Sequence, residues 1–438
     1  MDIDKTTLAD LLMFNSGEDI SVFNKLDLCS TTHGSEQLRI NFGTALKTEE
    51  EIIAVQQTLQ LFIEHLPHWP TQITNGTVMV VEKFFDSNID VIPAHPSSIE
   101  AYSYKILHSP DFALVTYSAK HCFDFIKGFQ SLLQLFSNTG HPLPLKKNLA
   151  EVEKIINKDQ FSIVEKCNNT DELTSAQLLE FAHFIRYGYK HNMLSLVVLY
   201  AQIDAWYGMA KAVQKHRLVF PEFVQNNQPV IEAMGLYHLL VQDPVAYDVL
   251  LDQKTNFLFL TGANMAGKST FIKSVGASVF LAHIGMGVPA QQMKLTLFDG
   301  MLSNINVIDN IAKGESYFYN EVQRIKSTIN KISDGKKWLI LIDELFKGTN
   351  VQDAMKCSIT VIEGLLKMKN SLFILSTHLY EIGEELKKYP NIDFKYFETS
   401  VISDQLHFSY HLKDGISNDR LGYLILKREG VVDMLAKM

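Results

Sequence analysis

The sequence predicts a multidomain chain: a mainly α-helical part over residues 1–217, then an α/β part over residues 218–438 built round a phosphate-binding P-loop. Three observations carry this. Residues 262–270 read Gly-Ala-Asn-Met-Ala-Gly-Lys-Ser-Thr directly after the apolar run Phe257-Leu258-Phe259-Leu260. That is a G-x-x-x-x-G-K-[ST] loop with a strand before it and a helix after it. Trp338-Leu339-Ile340-Leu341-Ile342 then runs into Asp343-Glu344. Apolar residues without alternation suit a parallel strand buried on both faces, with its carboxylates at the ligand-binding end of an open sheet. Upstream of residue 218 apolar residues recur at helical spacing, whereas downstream strand-like and helix-like runs alternate.

In the N-terminal part, Thr48-Glu49-Glu50-Glu51 precedes Ile52, Val55, Leu59 and Phe62, an acidic first turn followed by one apolar face. Pro67, Pro70 and Gly76 end that helix, and a Pro-punctuated region is expected to about Pro96. Helical pattern resumes near Ser98 and again around Phe123–Phe136. Gly140–Pro144 reads as a linker and Leu149–Ile156 as a short helix. Asp171–His216 supports one long helix or a pair, with weak points at Gly188 and Gly208. Its aromatics Phe181, Phe184, Tyr187 and Tyr189 lie at core spacing. Leu194–Val213 is the most apolar stretch, but Gln202, Asp204 and Lys211 mark it as a buried helix, so no membrane association is expected.

The α/β part carries the chemistry. Gly262 and Gly267 let the backbone curl so that the N–H groups of Ala263, Asn264, Met265 and Ala266 can face phosphate oxygens. Lys268 supplies a point charge for the β- and γ-phosphates of ATP, and Ser269, followed by Thr270, a hydroxyl for Mg²⁺. Asp343 is the second Mg²⁺ group, and Glu344 is placed to polarise the attacking water as general base. By itself, Asp-Glu after a strand is a solvated helix cap; downstream of a phosphate loop it is a hydrolytic pair. A third strand, Ser371–Leu375, ends in Ser376-Thr377-His378, where His378 can donate a hydrogen bond to the γ-phosphate. Gly314-Glu315-Ser316 opens a helix through Phe318, Glu321, Ile325 and Ile329 and offers donors to an anion. Gly348-Thr349-Asn350 is a tight polar loop suited to a contact between subunits, although a plain cap or turn explains either segment taken alone.

Composition limits the partners. The 438 residues carry a net charge of −9, with a pI near 5.9. Phosphate neutralisation supplies most non-specific affinity for DNA, so this balance argues against a broad DNA-coating surface and permits a local basic path. Cys29, Cys122, Cys167 and Cys357 lie far apart without a C-x-x-C pair, which reads as reduced, buried thiols in a cytoplasmic protein. The N-terminus, Met1-Asp2-Ile3-Asp4-Lys5, lacks the pattern of a signal peptide.

The residues resemble the MutS mismatch-repair family. The resemblance is carried by Thr261–Thr270, Gly287–Ala290, Gly314-Glu315-Ser316 with Glu321, Leu341–Leu345 with Gly348-Thr349, Ser376–His378, and Lys413–Gly415 followed by Leu421-Gly422. Asn264-Met265 inside the loop, and the lack of a Leu-Ser-Gly-Gly-Gln signature, separate it from ordinary ABC ATPases. Upstream, Ser21–Phe23, Leu26-Asp27, Cys29, Thr31 and Gly34 resemble the start of the family's core or lever domain. Ile203-Asp204 and Phe220–Phe223 resemble its return into the ATPase.

The resemblance implies a lever domain over 1–217 and an ABC-superfamily ATPase domain over 218–438, with ATP and Mg²⁺ as ligands. It implies a homodimer in which Ser316 of one subunit touches the γ-phosphate held by the other. It also implies DNA binding and a repair partner protein. The mismatch-reading, connector and clamp domains are not expected within the chain, and with them strong mismatch discrimination. Local departures are Asn227-Gln228-Pro229 where the family has Arg-His-Pro, acidic Glu315 before Ser316, and Pro244 where an aromatic stacks on adenine. Either Tyr247 is the stacking ring or adenine is held loosely. Three other classes stay open: an ATP-dependent switch acting on a protein or ribonucleoprotein partner, a small-molecule kinase, and a nucleotide-binding scaffold that hydrolyses little.

Overall fold

The computed structural model describes residues 1–14, 20–137, 140–305, 317–402, 405–417 and 431–436. They form two compact units. One comprises Met1–Lys25, Ala45–Ile52 and His216–Met438, the other Leu26–Thr44 and Ile53–Lys215. The expected division at 217/218 therefore differs on its N-terminal side, because two early segments pack with the later unit.

Among the described residues that α/β unit holds eleven strands. They are β1 (Asp2–Ile3), β2 (Glu222–Phe223), β3 (Ile231–Leu236), β4 (Tyr247–Leu251), β5 (Phe257–Thr261) and β6 (Gln292–Leu295). Then follow β7 (Gly300–Asn304), β8 (Trp338–Asp343), β9 (Ser371–Ser376), β10 (Ile392–Ile402) and β11 (Gln405–Asp414). The main sheet runs β1-β7-β8-β9-β5-β10-β11, parallel except for the antiparallel β11. A smaller sheet runs β2-β6-β3-β4, mostly antiparallel. Every residue of β5, β8 and β9 is buried, as their unbroken apolar runs demand.

Register aligns Phe257 with Phe373 and Ile340, and Phe259 with Leu375 and Ile342. These side chains form one face, packed against the helices Tyr317–Ile332, Val351–Leu365 and Glu381–Leu386. The helix Lys268–His283 packs against β8 and β9. A Cβ on its Gly276 would lie 2.5 Å from both Leu341 and Leu11, so the close approach requires glycine. β1 pairs Asp2 with Gly300 and Ile3 with Met301. A two-residue strand is too short to show any periodicity in sequence.

The other unit is helical. Its helices include Thr32–Gly43, Asn75–Asp86, Ser98–Leu107, Ser109–Phe136, Leu143–Ile156 and Ser175–His183. The helix at Asn75–Asp86 corrects the reading of 67–96 as Pro-punctuated chain. Thr74 caps it by accepting Thr77 N–H, and Val78, Val81 and Phe84 form its buried face. The proline and glycine signals are satisfied outside it or in its first turn. The 140–144 linker is shorter than expected, because Pro142 and Pro144 flank a helix start at Leu143, where proline lacks no needed N–H.

Gly188 does interrupt the helical run: a π-helical turn at Phe184–Gly188 separates Ser175–His183 from Lys190–His216. Gly208 does not. A Cβ there would lie 2.6 Å from Cys29 Sγ, so it serves packing. Phe181 and Tyr189 are core residues, while Tyr187 is exposed. Among the described residues Lys190–His216 alone is long and apolar enough to cross a membrane, and most of that apolar window is buried within the protein. Asp204 lies wholly buried within it. The four cysteines are free, with Cys122 fully buried and the others partly exposed.

Candidate functional site

The tips of β5, β8 and β9 converge because β9 lies between the other two in the sheet. Backbone bonds stitch them together: Thr377 N–H donates to Leu260 O at 3.0 Å, and Glu344 N–H to Ser376 O at 2.9 Å. The loop after β5 turns through Gly262 at φ +138° and Gly267 at φ +110°. A Cβ on Gly262 would come within 3.2 Å of Phe397, so backbone conformation and space both call for glycine. Ala263 and Ala266 are buried, while Asn264 and Met265 face solvent. Met265 also adopts a left-handed conformation, φ +66°.

Lys268 opens the following helix and is buried. Its ammonium donates to Gly262 O at 2.8 Å and Ala263 O at 2.9 Å. Burial lowers its pKa to about 8, against the opposing pull of Glu344 and Asp343. Ser269 Oγ donates to Asp343 Oδ2 at 2.5 Å, and Ser376 Oγ donates to Asp343 Oδ1. Two hydroxyls thus orient a carboxylate that is only 9% exposed.

Glu344 stands beside it at φ +65°, an unusual conformation for a non-glycine residue. Its Oε1 lies 2.8 Å from His378 Nε2 and its Oε2 3.1 Å from Lys347 Nζ. Burial pushes this carboxyl up, but His378 and Lys347 outweigh it and hold the pKa at about 2. His378 Nε2 is also 3.4 Å from Lys268 Nζ. Cation, carboxylate and imidazole therefore share one polar cluster.

These groups line a cavity of about 490 Å³, with Asn264–Thr270, Asp343, Glu344 and His378 in its wall. Pro244, Tyr247, His238 and Tyr410 also belong to the lining. The structure thus brings together in one wall the expected nucleotide-site residues except Gly262, Ala263 and Ser316. Gly262 and Ala263 begin the same loop, and their carbonyls accept the Lys268 ammonium. Gly314-Glu315-Ser316 and Leu421-Gly422 lie outside the described residues. Gly348 and Asn350 serve local structure: Asn350 caps Val351–Leu365 by accepting Asp353 N–H.

The aromatic wall was only partly foreseen. Tyr247 lines the cavity but is only 7% exposed, its ring packed edge-on against Phe271 and Phe397 at 5.3 and 5.8 Å. Burial raises its phenol pKa. Tyr410 is the ring with a free face, 42% exposed. It sits in a bulge between the Phe397 and Thr399 pairings, at φ +57°. Ser409 Oγ pins this bulge, donating to Glu398 O and accepting His411 N–H. A Cβ on Gly267 would lie 3.5 Å from the Tyr410 ring, so the ring stands over the glycine loop after β5. Its signal in sequence was an aromatic just before Lys413-Asp414-Gly415, but strand alternation does not reveal a bulge. His238 was likewise missed. Its Nδ1 accepts Leu240 N–H at 3.2 Å, and burial pulls its pKa to about 4, leaving it neutral.

Residues 258–435 match the MutS domain V family. Over 290 residues the chain is 28% identical to the DNA mismatch repair protein MutS of Petrotoga mobilis, covering 65% of this chain and 34% of that protein. It is 31% identical over 303 residues to the MutS of Leuconostoc mesenteroides, covering 66% and 33%. It is 29% identical over 249 residues to that of Thermotoga maritima, covering 56% and 31%. The chain therefore spans about a third of the length of these relatives.

Proposed function

Because the chain belongs to the MutS family, through its domain V at residues 258–435 and its MutS relatives, we propose that it hydrolyses ATP to drive a conformational change used on DNA. The observation that carries this is the meeting of Lys268, Ser269, Asp343, Glu344 and His378 round one cavity. The loop N–H groups and Lys268 hold the phosphates. Tyr410 offers its exposed ring to the base, and Tyr247 backs the wall.

The Ser269 hydroxyl and the Asp343 carboxylate are hard oxygen donors beside the phosphate loop, a pair that fits Mg²⁺. Bound there, the ion supplies charge neutralisation at the phosphate oxygens. Glu344 orients and polarises the attacking water. As the water oxygen bonds to the γ-phosphorus and its proton passes to Glu344, the bond to the β–γ bridging oxygen breaks, and ADP and phosphate result, the proton then leaving to phosphate or solvent. At a pKa of about 2 a carboxylate is a weak base. Transfer of the His378 hydrogen bond from Glu344 to the γ-phosphate removes one acidifying partner and makes Glu344 more basic when it is needed.

In this reading two subunits face each other, with Ser316 of one completing the site of the other. A repair partner protein acts with it. The net charge of −9 favours a second reading, a switch acting on a protein or ribonucleoprotein partner. The test is ATP turnover alone and with homoduplex, mispaired and branched DNA at matched salt. Stimulation by DNA supports the first reading. Turnover indifferent to every DNA supports the second, and tight nucleotide binding without turnover supports a scaffold. Mixing Lys268→Ala with Ser316→Ala subunits should restore activity in mixed dimers; mixed dimers as inactive as their parents would exclude the shared site.

A further inference from the structure

The helix Tyr317–Ile332 is tied down at two points one turn apart. At the first, Glu321 is buried and accepts hydrogen bonds from Lys347 N–H at 3.0 Å and Gly348 N–H at 3.2 Å. Those N–H groups belong to the loop that leaves β8 and presents Glu344. Within it both Glu344 and Phe346 hold left-handed conformations, φ +65° and φ +60°. Non-glycine residues keep such angles only when the surroundings over-determine them. On the upstream side the Glu344 N–H bond to Ser376 O does this. On the downstream side the tether is Glu321, helped by Phe318, whose ring centroid is 5.7 Å from that of Phe346.

At the second point Arg324 donates to Ser303 O at 2.8 Å and pairs with Asp10 Oδ2 at 3.3 Å. Asp10 is buried and also accepts Ser303 Oγ at 2.5 Å and Ile305 N–H at 3.1 Å. Thr7 Oγ1 accepts Ser303 N–H at 3.0 Å. The first ten residues thus grip both the end of β7 and the helix that carries Glu321. A grip on Arg324 fixes the rotation and height of that helix, and hence where the Glu321 carboxylate meets the loop.

We propose that Glu321 is a positioning residue for Glu344, and that Asp10, acting through Arg324, sets the helix that carries it. Residues 1–10 are then a working part of the hydrolytic unit. The inference rests on Glu344 acting on the attacking water. Without the Glu321 carboxylate two loop N–H groups lose their acceptor, the left-handed pair relaxes, and the Glu344 side chain swings off its water.

The experiment compares the full chain with Glu321→Gln, Asp10→Asn, their double variant, Arg324→Lys and Glu344→Gln. Nucleotide affinity, folded fraction and turnover per bound nucleotide are measured for each. Glu321→Gln, which keeps one acceptor oxygen but turns an NH2 donor towards the second loop N–H, should lower turnover per bound nucleotide by about tenfold or more, since a 1 Å misplacement costs up to ~10²-fold, with nucleotide affinity unchanged. Asp10→Asn should act in the same direction. The double variant should be little worse than Glu321→Gln alone, because both act through one helix. A purely structural role would lower the folded fraction and leave turnover per bound nucleotide intact, which would overturn the proposal. Arg324→Lys, at a partly exposed side chain that keeps its charge, carries the same test if the buried variants do not fold. If Glu344→Gln itself turned over normally, the underlying assignment of Glu344 would fall instead.

Discussion

Glu344 Oε1 and His378 Nε2 meet at 2.8 Å at the tips of adjacent strands β8 and β9. The same imidazole nitrogen is 3.4 Å from Lys268 Nζ. In the proposed reaction a γ-phosphate would compete with Glu344 for His378, linking occupancy of that position to release of the carboxylate.

Glu344→Gln should reduce ATP turnover by ~10²–10⁴-fold, the usual contribution of a positioned general base. The neutral isostere keeps the shape of the site, so nucleotide should remain bound. Single-turnover kinetics with a parallel nucleotide titration check this. A fall of less than about tenfold would assign the water to another group.

ATP affinity should fall as pH rises through about 8, the value to which burial lowers Lys268. Phosphate needs the ammonium form and raises its pKa again, so binding above that pH takes up a proton. The loss approaches tenfold per pH unit until the pKa of the complex is reached. In the unliganded protein the sign reverses. The folded pKa lies below the ordinary 10.5, so this group adds stability as pH rises from about 8 towards 10.5. Titrations from about pH 7 to about 9.5 test the binding half, and Lys268→Ala should be weak and flat across that range.

Tyr410→Ala should weaken ATP binding by about tenfold or more, since stacking on a base is worth roughly 1–3 kcal/mol. Inorganic tripolyphosphate, which has no base, should bind the variant as it binds the wild type. Tyr247→Ala should instead lose stability, by roughly 3–5 kcal/mol as for other buried aromatics. Equal ATP affinity in Tyr410→Ala and wild type would return the stacking role to Tyr247.

In the helical unit Asp204 accepts Ser30 N–H at 3.0 Å, Thr31 N–H at 2.8 Å and Thr31 Oγ1 at 2.7 Å. Burial pushes its pKa up, against these bonds. Asp204→Ala leaves the donors unpaired, at roughly 1–3 kcal/mol each where water cannot reach them. Gly34→Ala would place a Cβ 2.1 Å from Asp204 Oδ2. Both should lower stability in denaturant titrations. Combined, they should cost less than their sum, because Asp204→Ala vacates the space the new Cβ needs. Strict additivity would mean that the two residues do not share this contact.

The glycine loop after β5, the carboxylate strand and the strand ending in His378 were legible in the chain because each is a contiguous pattern. An apolar run buried on both faces, followed by polar residues at its tip, needs no information from elsewhere. The alternation of strands and helices after residue 218 likewise determined the class of that part. Tertiary structure alone decided what joins across distance. Asp10 meets Arg324 across 314 residues and Asp204 meets Thr31 across 173, contacts to which no local periodicity points. β1 is two residues long, and it is a strand only because the edge of β7 is there to pair with it. Tyr410 reaches the cavity through a bulge, which breaks the period of two on which facing is read. Glu321 on its own helix reads as one more charged residue at helical spacing. It became a ligand of the Glu344 loop only when folding brought the backbone N–H groups of Lys347 and Gly348 to its carboxylate.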